Sequence, residues 1–387
     1  MNLHHFNIPP DNIQITSGEN CVVVCAYGRI EDSFTDCVIV ERQYKDNYTY
    51  LYITDLDVDK PIYKYMDGFS PNLNKKLHIG HFSNLVYASA FKHLGVCEQT
   101  IAIYGDTLVG TDLSNIDYNK FKYSIDKEYY ASEQVLLEDE FKLLCEGIGE
   151  YENTKCFTLL DDTKLVGIKS DASTSYFYQD VSLVQTLNGS TLYLTGKEQK
   201  NHFNQLKLVK GLEEYSNNIN HIGLGLISLQ GEKMSSRKGN VIYMTDLIDI
   251  VNQEFNNLNL TYNVLAGSIL MSNPTRDLKV SLDNLSDPKQ SVGMYISYTT
   301  ARLLNLPIDY NKYVNQQVDL EVKFMVYKSK MTLNPSLLCG YLHKYCKKIN
   351  VDYTNIQAKD NEELYVNHLH NLQYMLNKLG LYTINKI

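Results

Sequence analysis

The hydrophobic pattern of the chain changes character twice. Residues 1 to about 60 carry short β-type runs: CVVVCAY at 21–27, DCVIVERQ at 36–43 and NYTYLYITDL at 47–56. Gly28, Asp32 and the Asp46-Asn47 pair separate them, which predicts a small antiparallel unit. From about 61 to 290, short apolar runs alternate with longer amphipathic segments. PIYKYMDGF, TIAIYGD, TLYLTG and HIGLGLISL read as strands, and helices are expected near 80–94, 133–147, 200–212 and 245–257. Such alternation predicts a parallel sheet with crossover helices. Beyond about 291 the pattern turns helical, in YISYTTARLLNL, NPSLLCGYLHKYCKKI and ELYVNHLHNLQYMLNKLG. The expected architecture is therefore α/β. It has three parts: a β-rich region at 1–60, a parallel-sheet domain at 61–290 and a helical domain at 291–387.

Composition narrows the function classes. At 387 residues, 44% hydrophobic and 21% charged, the chain has the make-up of a soluble globular protein. No window approaches the roughly 20 apolar residues of a membrane span. The start, MNLHHFNIPPDN, lacks the basic and apolar segments of a secretion signal, so a cytoplasmic protein without a membrane partner is expected. Eight cysteines include no CxxC pair, and Cys21 and Cys25 lack a matching second pair. Reduced thiols and no bound structural metal are expected. A net charge of −9 argues against holding nucleic acid by bulk electrostatics, though a local basic patch would suffice. Lys323, Lys328, Lys330, Lys344, Lys347 and Lys348, interleaved with Tyr327, Tyr341 and Tyr345, are one candidate. A solvated helix face accounts for these lysines at least as well.

Two segments carry chemistry. The first runs from Ser70 through Pro71, Asn72 and Leu73 to His78-Ile79-Gly80-His81, after an expected strand and at the start of an expected helix. A strand–loop–helix junction aims free backbone N–H groups and the positive end of the helix dipole at a ligand. The ligand then lies at the carboxyl edge of the sheet. Gly80 would allow a nucleotide close to the backbone, and the two histidines could donate to phosphate oxygens. The second segment is Glu232-Lys233-Met234-Ser235-Ser236-Arg237-Lys238-Gly239-Asn240. Its cations and hydroxyls suit a polyphosphate and the charge that grows on departing pyrophosphate. Either segment alone has an ordinary structural reading; both in one chain, in this order, point to a nucleotide site.

These segments resemble the HIGH and KMSKS signatures of class I aminoacyl-tRNA synthetases. Their context is most similar to the arginyl-tRNA synthetases: SPN-x5-HIGH, KSD-x4-Y-x3-D from Lys169 to Asp180, LYLTGKEQKNHFNQL at 192–206, KMSSRKGNVI and NPTRDLKVSLD at 273–283. GMYISYTTAR at 293–302 is similar to the opening of that family's helical anticodon-binding domain. The resemblance covers roughly residues 61–387 and implies a Rossmann-type catalytic domain followed by a helical bundle.

The resemblance also implies roles. His78, His81, Lys233, Arg237 and Lys238 would be catalytic, and Gly80, Gly196, Gln199, His202, Ser235 and Ser236 would bind ATP. Ser70, Asn72, Glu128, Tyr176 and Asp180 would bind arginine. A guanidinium calls for carboxylates that accept paired hydrogen bonds, and Tyr176 and Asp180, four apart, would share a helix face. Arginine would be activated by Mg-ATP and passed to the 3′ end of tRNA, with a monomer as the default state. Catalysis would then be positioning plus charge stabilisation, with no side-chain nucleophile.

The chain also departs from the family pattern. Residues 1–60 show no resemblance to the domain that contacts the tRNA corner. Thr107 to Gly110 stand where a tryptophan and a glutamine are usual, Gln179 where an arginine is, and Ser297 where a glutamine is. These changes spare the adenylation segments and bear on tRNA handling. Three functions stay open: a compact arginyl-tRNA synthetase, a paralogue activating arginine or an analogue for another acceptor, and an idle tRNA-binding or regulatory protein.

Overall fold

The computed structural model describes residues 14–18, 21–27, 37–71, 76–104, 122–130, 153–229, 243–283, 285–313, 316–356 and 361–387. Four antiparallel strands come first: β1 (Gln14–Gly18), β2 (Cys21–Tyr27), β3 (Cys37–Lys45) and β4 (Tyr48–Leu56), in the order β1-β2-β4-β3. Asp46 and Asn47 join β3 to β4 with φ of 53° and 66°, the left-handed pair that a two-residue hairpin turn requires.

The central sheet is parallel, with strands β5 (Tyr63–Asp67), β6 (Cys97–Tyr104), β7 (Lys127–Tyr130), β10 (Thr191–Gly196) and β11 (Ile219–Leu224) in the order β11-β10-β5-β6-β7. A separate hairpin, β8 (Lys155–Thr158) with β9 (Lys164–Ile168), falls between β7 and β10. The chain runs outward from β5 on one side, then returns to build β10 and β11 on the other. The strand order thus reverses between β5 and β10, where open α/β sheets open a crevice at their carboxyl edge.

Helices cover both faces. On one, α1 (Ile79–His93) packs over Met66, Leu192, Leu194 and Leu224. On the other, α2 (Tyr176–Leu187) and α3 (Lys200–Leu206) enclose Ile101, Tyr193 and Ile219. Alternate strand residues face opposite cores, so Met66 joins the first and Tyr193 the second.

Three expectations need correction. HIGLGLISL is not one strand: β11 ends at Leu224, and β12 (Ile227–Leu229) pairs instead with β13 (Leu278–Val280). Gly225 is the reason, because a Cβ there would lie 2.1 Å from the Arg276 carbonyl oxygen, so the 273–277 segment crosses against bare backbone. The helix expected over 200–212 stops at Leu206, after which Val209 bridges to Leu159. The basic patch is not one surface: Lys330 and Tyr327 are buried. The expected helix at 133–147 lies outside the described residues.

The remaining helices are α4 (Met244–Phe255), α5 (Leu258–Leu270), α6 (Val292–Leu304), α7 (Leu320–Met331), α8 (Ser336–Asn355) and α9 (Glu362–Lys378). Side chains of Asn257, Ser291 and Asn361 cap the first turns of α5, α6 and α9. The N-terminal sheet buries Leu51 and Ile53 in the core that also holds Val322 and Val326 of α7. Lys330 adds a polar tie, its Nζ donating to the carbonyls of Val58 (2.9 Å) and Lys60 (2.5 Å) in the β4–β5 link. No helix among the described residues is long and apolar enough to cross a membrane.

Candidate active site

The polar residues of interest gather along the carboxyl edge of the parallel sheet. After β5 the chain reaches His78, which sits in extended conformation as the N-cap of α1. The Gly80 N–H donates to His78 Nδ1, and the His78 N–H donates to His81 Nδ1, both at 3.1 Å. The two rings lie 4.0 Å apart at their centroids. With each Nδ1 accepting from the backbone, the ring proton belongs on Nε2, so each imidazole keeps one N–H donor. Burial lowers the pKa of both rings. His81 falls to about 4, with the neighbouring His78 contributing. At neutral pH these are therefore uncharged donors at the positive end of a helix. Gly80 has a local reason as well: a Cβ there would lie 2.8 Å from His78 Cε1.

The end of β5 supplies a buried carboxyl. Asp67 is 6% exposed, and Ser70 Oγ donates to its Oδ1 at 2.5 Å. Ser70 Oγ in turn accepts from the Ile103 N–H at 2.8 Å, so this hydroxyl ties the β5 loop to β6. Burial raises the Asp67 pKa to about 7. The Ser70 hydrogen bond opposes that rise, and the nearby Asp180 adds to it. Tyr193 lies opposite Asp67 in the ladder between β5 and β10. It is wholly buried, and its phenol is pushed well up by burial, with Asp180 and Asp67 adding to the effect.

Asp180 comes from α2. Ser175 starts that helix, accepting from the Tyr178 N–H at 3.1 Å and donating to the Val166 carbonyl at 2.7 Å. Phe177, Tyr178, Val181 and Val184 face the core, which leaves Asp180 half-buried beside the sheet edge and Tyr176 exposed one turn earlier. His202, in α3, meets Asp180 with Nε2 2.6 Å from Oδ2. Phe177 and Phe203 each present edge-to-face contacts to the His202 ring. Phe203 stacks on His221 in turn, whose Nε2 lies 2.9 Å from Thr195 Oγ1. Burial, with the nearby His202, lowers the His221 pKa to about 4.

The chain that follows the second motif meets the first at Tyr243 and Met244. The second motif's own residues Lys233, Ser235, Ser236, Arg237 and Lys238 lie outside the described set, as does Asn72. The described chain resumes at Tyr243, which bridges to His78, and the Met244 N–H donates to the Leu77 carbonyl at 2.9 Å. Lys76 places its Nζ 5.2 Å from the centre of the Tyr243 ring. On the other flank, Asp277 accepts from Lys197 Nζ at 2.5 Å and from the Leu226 N–H at 2.8 Å, fastening the turn after β10 to the 273–277 segment.

Several sequence candidates thus come together and one stands apart. Ser70, His78, Gly80 and His81 follow β5, while Gly196 ends β10 and Gln199 and His202 follow it, with Asp180 beside His202. Gln199 is exposed in the 3-10 turn before α3. Glu128 lies in edge strand β7, exposed and two strands from β5. Asp67 and Tyr193 were not among the candidates. An acidic residue ending an apolar strand just before a motif loop is the signal that could have flagged Asp67. Among the described residues no three His, Cys, Asp or Glu side chains gather into a metal site.

No family model matches the chain. In sequence it is similar to the arginine–tRNA ligase of Oenococcus oeni, 30% identical over 161 residues that cover 36% of this chain and 28% of that protein. It is also similar to the arginine–tRNA ligase of Lactobacillus johnsonii, 27% identical over 265 residues that cover 59% of this chain and 46% of that one. The matched stretches thus span less than half the length of these relatives. In structure the chain superposes on the arginyl-tRNA synthetase of Thermus thermophilus with a TM-score of 0.62 and 13% identity, covering 90% of this chain and 89% of the other. The Plasmodium falciparum arginyl-tRNA synthetase gives 0.62 and 15%, covering 92% and 87%. The chain is arginyl-tRNA-synthetase-like in sequence and carries the class I arginyl-tRNA synthetase fold.

Proposed function

We propose that this chain activates arginine with ATP as arginyl-adenylate and transfers the arginyl group to the 3′ end of a tRNA. One observation carries the reading: Asp67, Tyr193 and Asp180 converge at the strand-order reversal, on the same sheet edge as the paired histidines of α1. Two carboxyl groups near the strand-order reversal, Asp67 buried and Asp180 half-buried, suit a guanidinium, which offers paired N–H donors. Tyr176, one turn from Asp180, would flank the substrate, with Ser70 and Asn72 beside its polar end.

The arginine carboxylate would attack the α-phosphate of ATP, with pyrophosphate leaving in line. The Nε2–H groups of His78 and His81, uncharged and fixed through Nδ1, would donate to the phosphate oxygens as charge builds. Lys233, Arg237 and Lys238 would hold the β and γ phosphates. Mg²⁺ would arrive on the ATP phosphates, supplying further charge neutralisation there. A terminal ribose hydroxyl of tRNA would then take the arginyl group.

The test is ATP–pyrophosphate exchange and tRNA charging with the full chain, offering arginine against lysine, citrulline and canavanine in the presence of total source tRNA. Arginine-dependent exchange together with arginylated tRNA is expected. Exchange without charging would move the acceptor away from tRNA. Absence of both would overturn the reading.

A further inference from the structure

We propose that His202 is a positioning residue for the amino-acid substrate: it holds the Asp180 carboxylate in the orientation that receives the guanidinium, and it does not contact the nucleotide. The inference rests on the arginine reading of the site. It departs from the ATP role that the sequence resemblance implies for His202.

The geometry is direct. His202 Nε2 stands 2.6 Å from Asp180 Oδ2, within the range of a charge-assisted hydrogen bond. Because a carboxylate only accepts, the proton of that bond lies on the imidazole Nε2. The bond takes one lone pair of Oδ2. It leaves the other lone pair of Oδ2 and both of Oδ1 for a planar donor pair.

Among the described residues, His202 is what fixes the Asp180 carboxylate. Asp180 is half-buried on α2, and the only hydrogen-bond partner described for its carboxylate is His202. The ring itself is held on two sides. Phe177, from the same helix as Asp180, and Phe203, from α3, present edge-to-face contacts at 5.4 and 5.3 Å. Phe203 is anchored on Tyr193 at 4.8 Å and on His221 at 4.5 Å. Behind them, the Thr195–His221 contact closes the set against β10 and β11. The aromatic packing therefore fixes the ring, the ring fixes the carboxylate, and the carboxylate meets the substrate. Supporting contacts of this kind commonly change ligand affinity without touching the ligand.

The experiment is steady-state pyrophosphate exchange with the full-length H202A and H202Q variants, varying arginine at saturating ATP and ATP at saturating arginine. Arginine-supported exchange by the unmodified chain is the control on the underlying reading; its absence would retire that reading before any variant is compared. Given the control, H202A is expected to raise the arginine KM roughly 10- to 100-fold. The ATP KM should stay within about twofold, and H202Q, which keeps an N–H donor, should recover part of the loss. A rise in the ATP KM with an unchanged arginine KM would overturn the proposal in favour of a nucleotide contact. Equal changes in both, or in neither, would reduce the pair to a structural ion pair. A readout independent of variant folding is the His202 Nε2–H resonance of the unmodified protein. It should shift on adding arginine and stay put on adding a non-hydrolysable ATP analogue; the opposite response overturns the proposal.

Discussion

Asp67 and Tyr193 lie directly opposite each other in the parallel ladder between β5 and β10, both buried and both within electrostatic reach of Asp180. A carboxyl and a phenol lie side by side on neighbouring strands, and among the described residues no lysine or arginine is one of the groups that shift the Asp67 pKa. Such an arrangement costs stability unless a cationic ligand enters, and that cost makes it testable.

Asp67→Asn should stabilise the empty protein, and increasingly so at high pH. In the folded chain Asp67 keeps its proton to about pH 7, against 3.8 for the ordinary group. Its contribution to stability is therefore complete below the unfolded value and lost as pH rises through about 7. By that linkage the variant should gain about 2–4 kcal/mol at pH 8 and almost nothing at pH 4. Thermal melts across this range check it, and an unchanged or lowered Tm at pH 8 would sink the claim. Arginine-dependent exchange should be lost in the same variant.

Arginine binding should be linked to proton release. The groups that set the Asp67 charge are Ser70, which donates to it, and Asp180, while the buried Tyr193 and Tyr123 lie within its field. A guanidinium favours the ionised carboxyl, so below about pH 7 arginine must displace a proton. The apparent Kd should worsen by up to about tenfold per pH unit under that value and level off above it. Calorimetry in buffers of different ionisation enthalpy measures the proton directly. A pH-independent Kd between 5.5 and 8 would exclude Asp67 from the site.

The histidines of α1 separate a cap from a catalytic donor. Asn is a good N-cap, so His78→Asn should change stability by less than about 1 kcal/mol. The same change removes the ring donor and should slow exchange by about 10²-fold or more. His81→Ala should show a comparable rate loss and also leave the His78 N–H without its acceptor, at about 1 kcal/mol. Denaturant titration paired with kcat decides between them. Full exchange by His78→Asn would show that the ring serves only the helix.

Gly225→Ala should destabilise the fold by about 1–3 kcal/mol. The added Cβ would meet the Arg276 carbonyl oxygen at 2.1 Å and its carbon at 2.2 Å, both backbone atoms that cannot swing aside. Urea unfolding gives the number. Because Asp277 adjoins that contact and holds Lys197, arginine affinity should fall as well.

Local pattern was enough to place many elements. CVVVCAY became β2 and NYTYLYITDL contains β4, because their β-formers are uninterrupted and bounded by turn residues. The helix after His78 is legible because capping and apolar spacing act within one or two turns. The Tyr176–Asp180 spacing needed only helical geometry to put both on α2.

What tertiary structure alone decided concerns groups far apart in the chain. Nothing local says that residue 67 will stand opposite 193, since parallel register is set by packing from both faces of the sheet. Nothing local says that Lys330 will turn inward to the Val58 and Lys60 carbonyls instead of joining its neighbours in a basic patch. The break after Leu224 depends on a segment 51 residues later crossing Gly225. Asp180 and His202 meet only because α2 and α3 cover the same face of the sheet. Sequence alone determined the motifs and the elements that carry them, because propensity and capping are short-range. The placing of Asp67 opposite Tyr193, and the protonation that follows from burying Asp67, came from long-range packing.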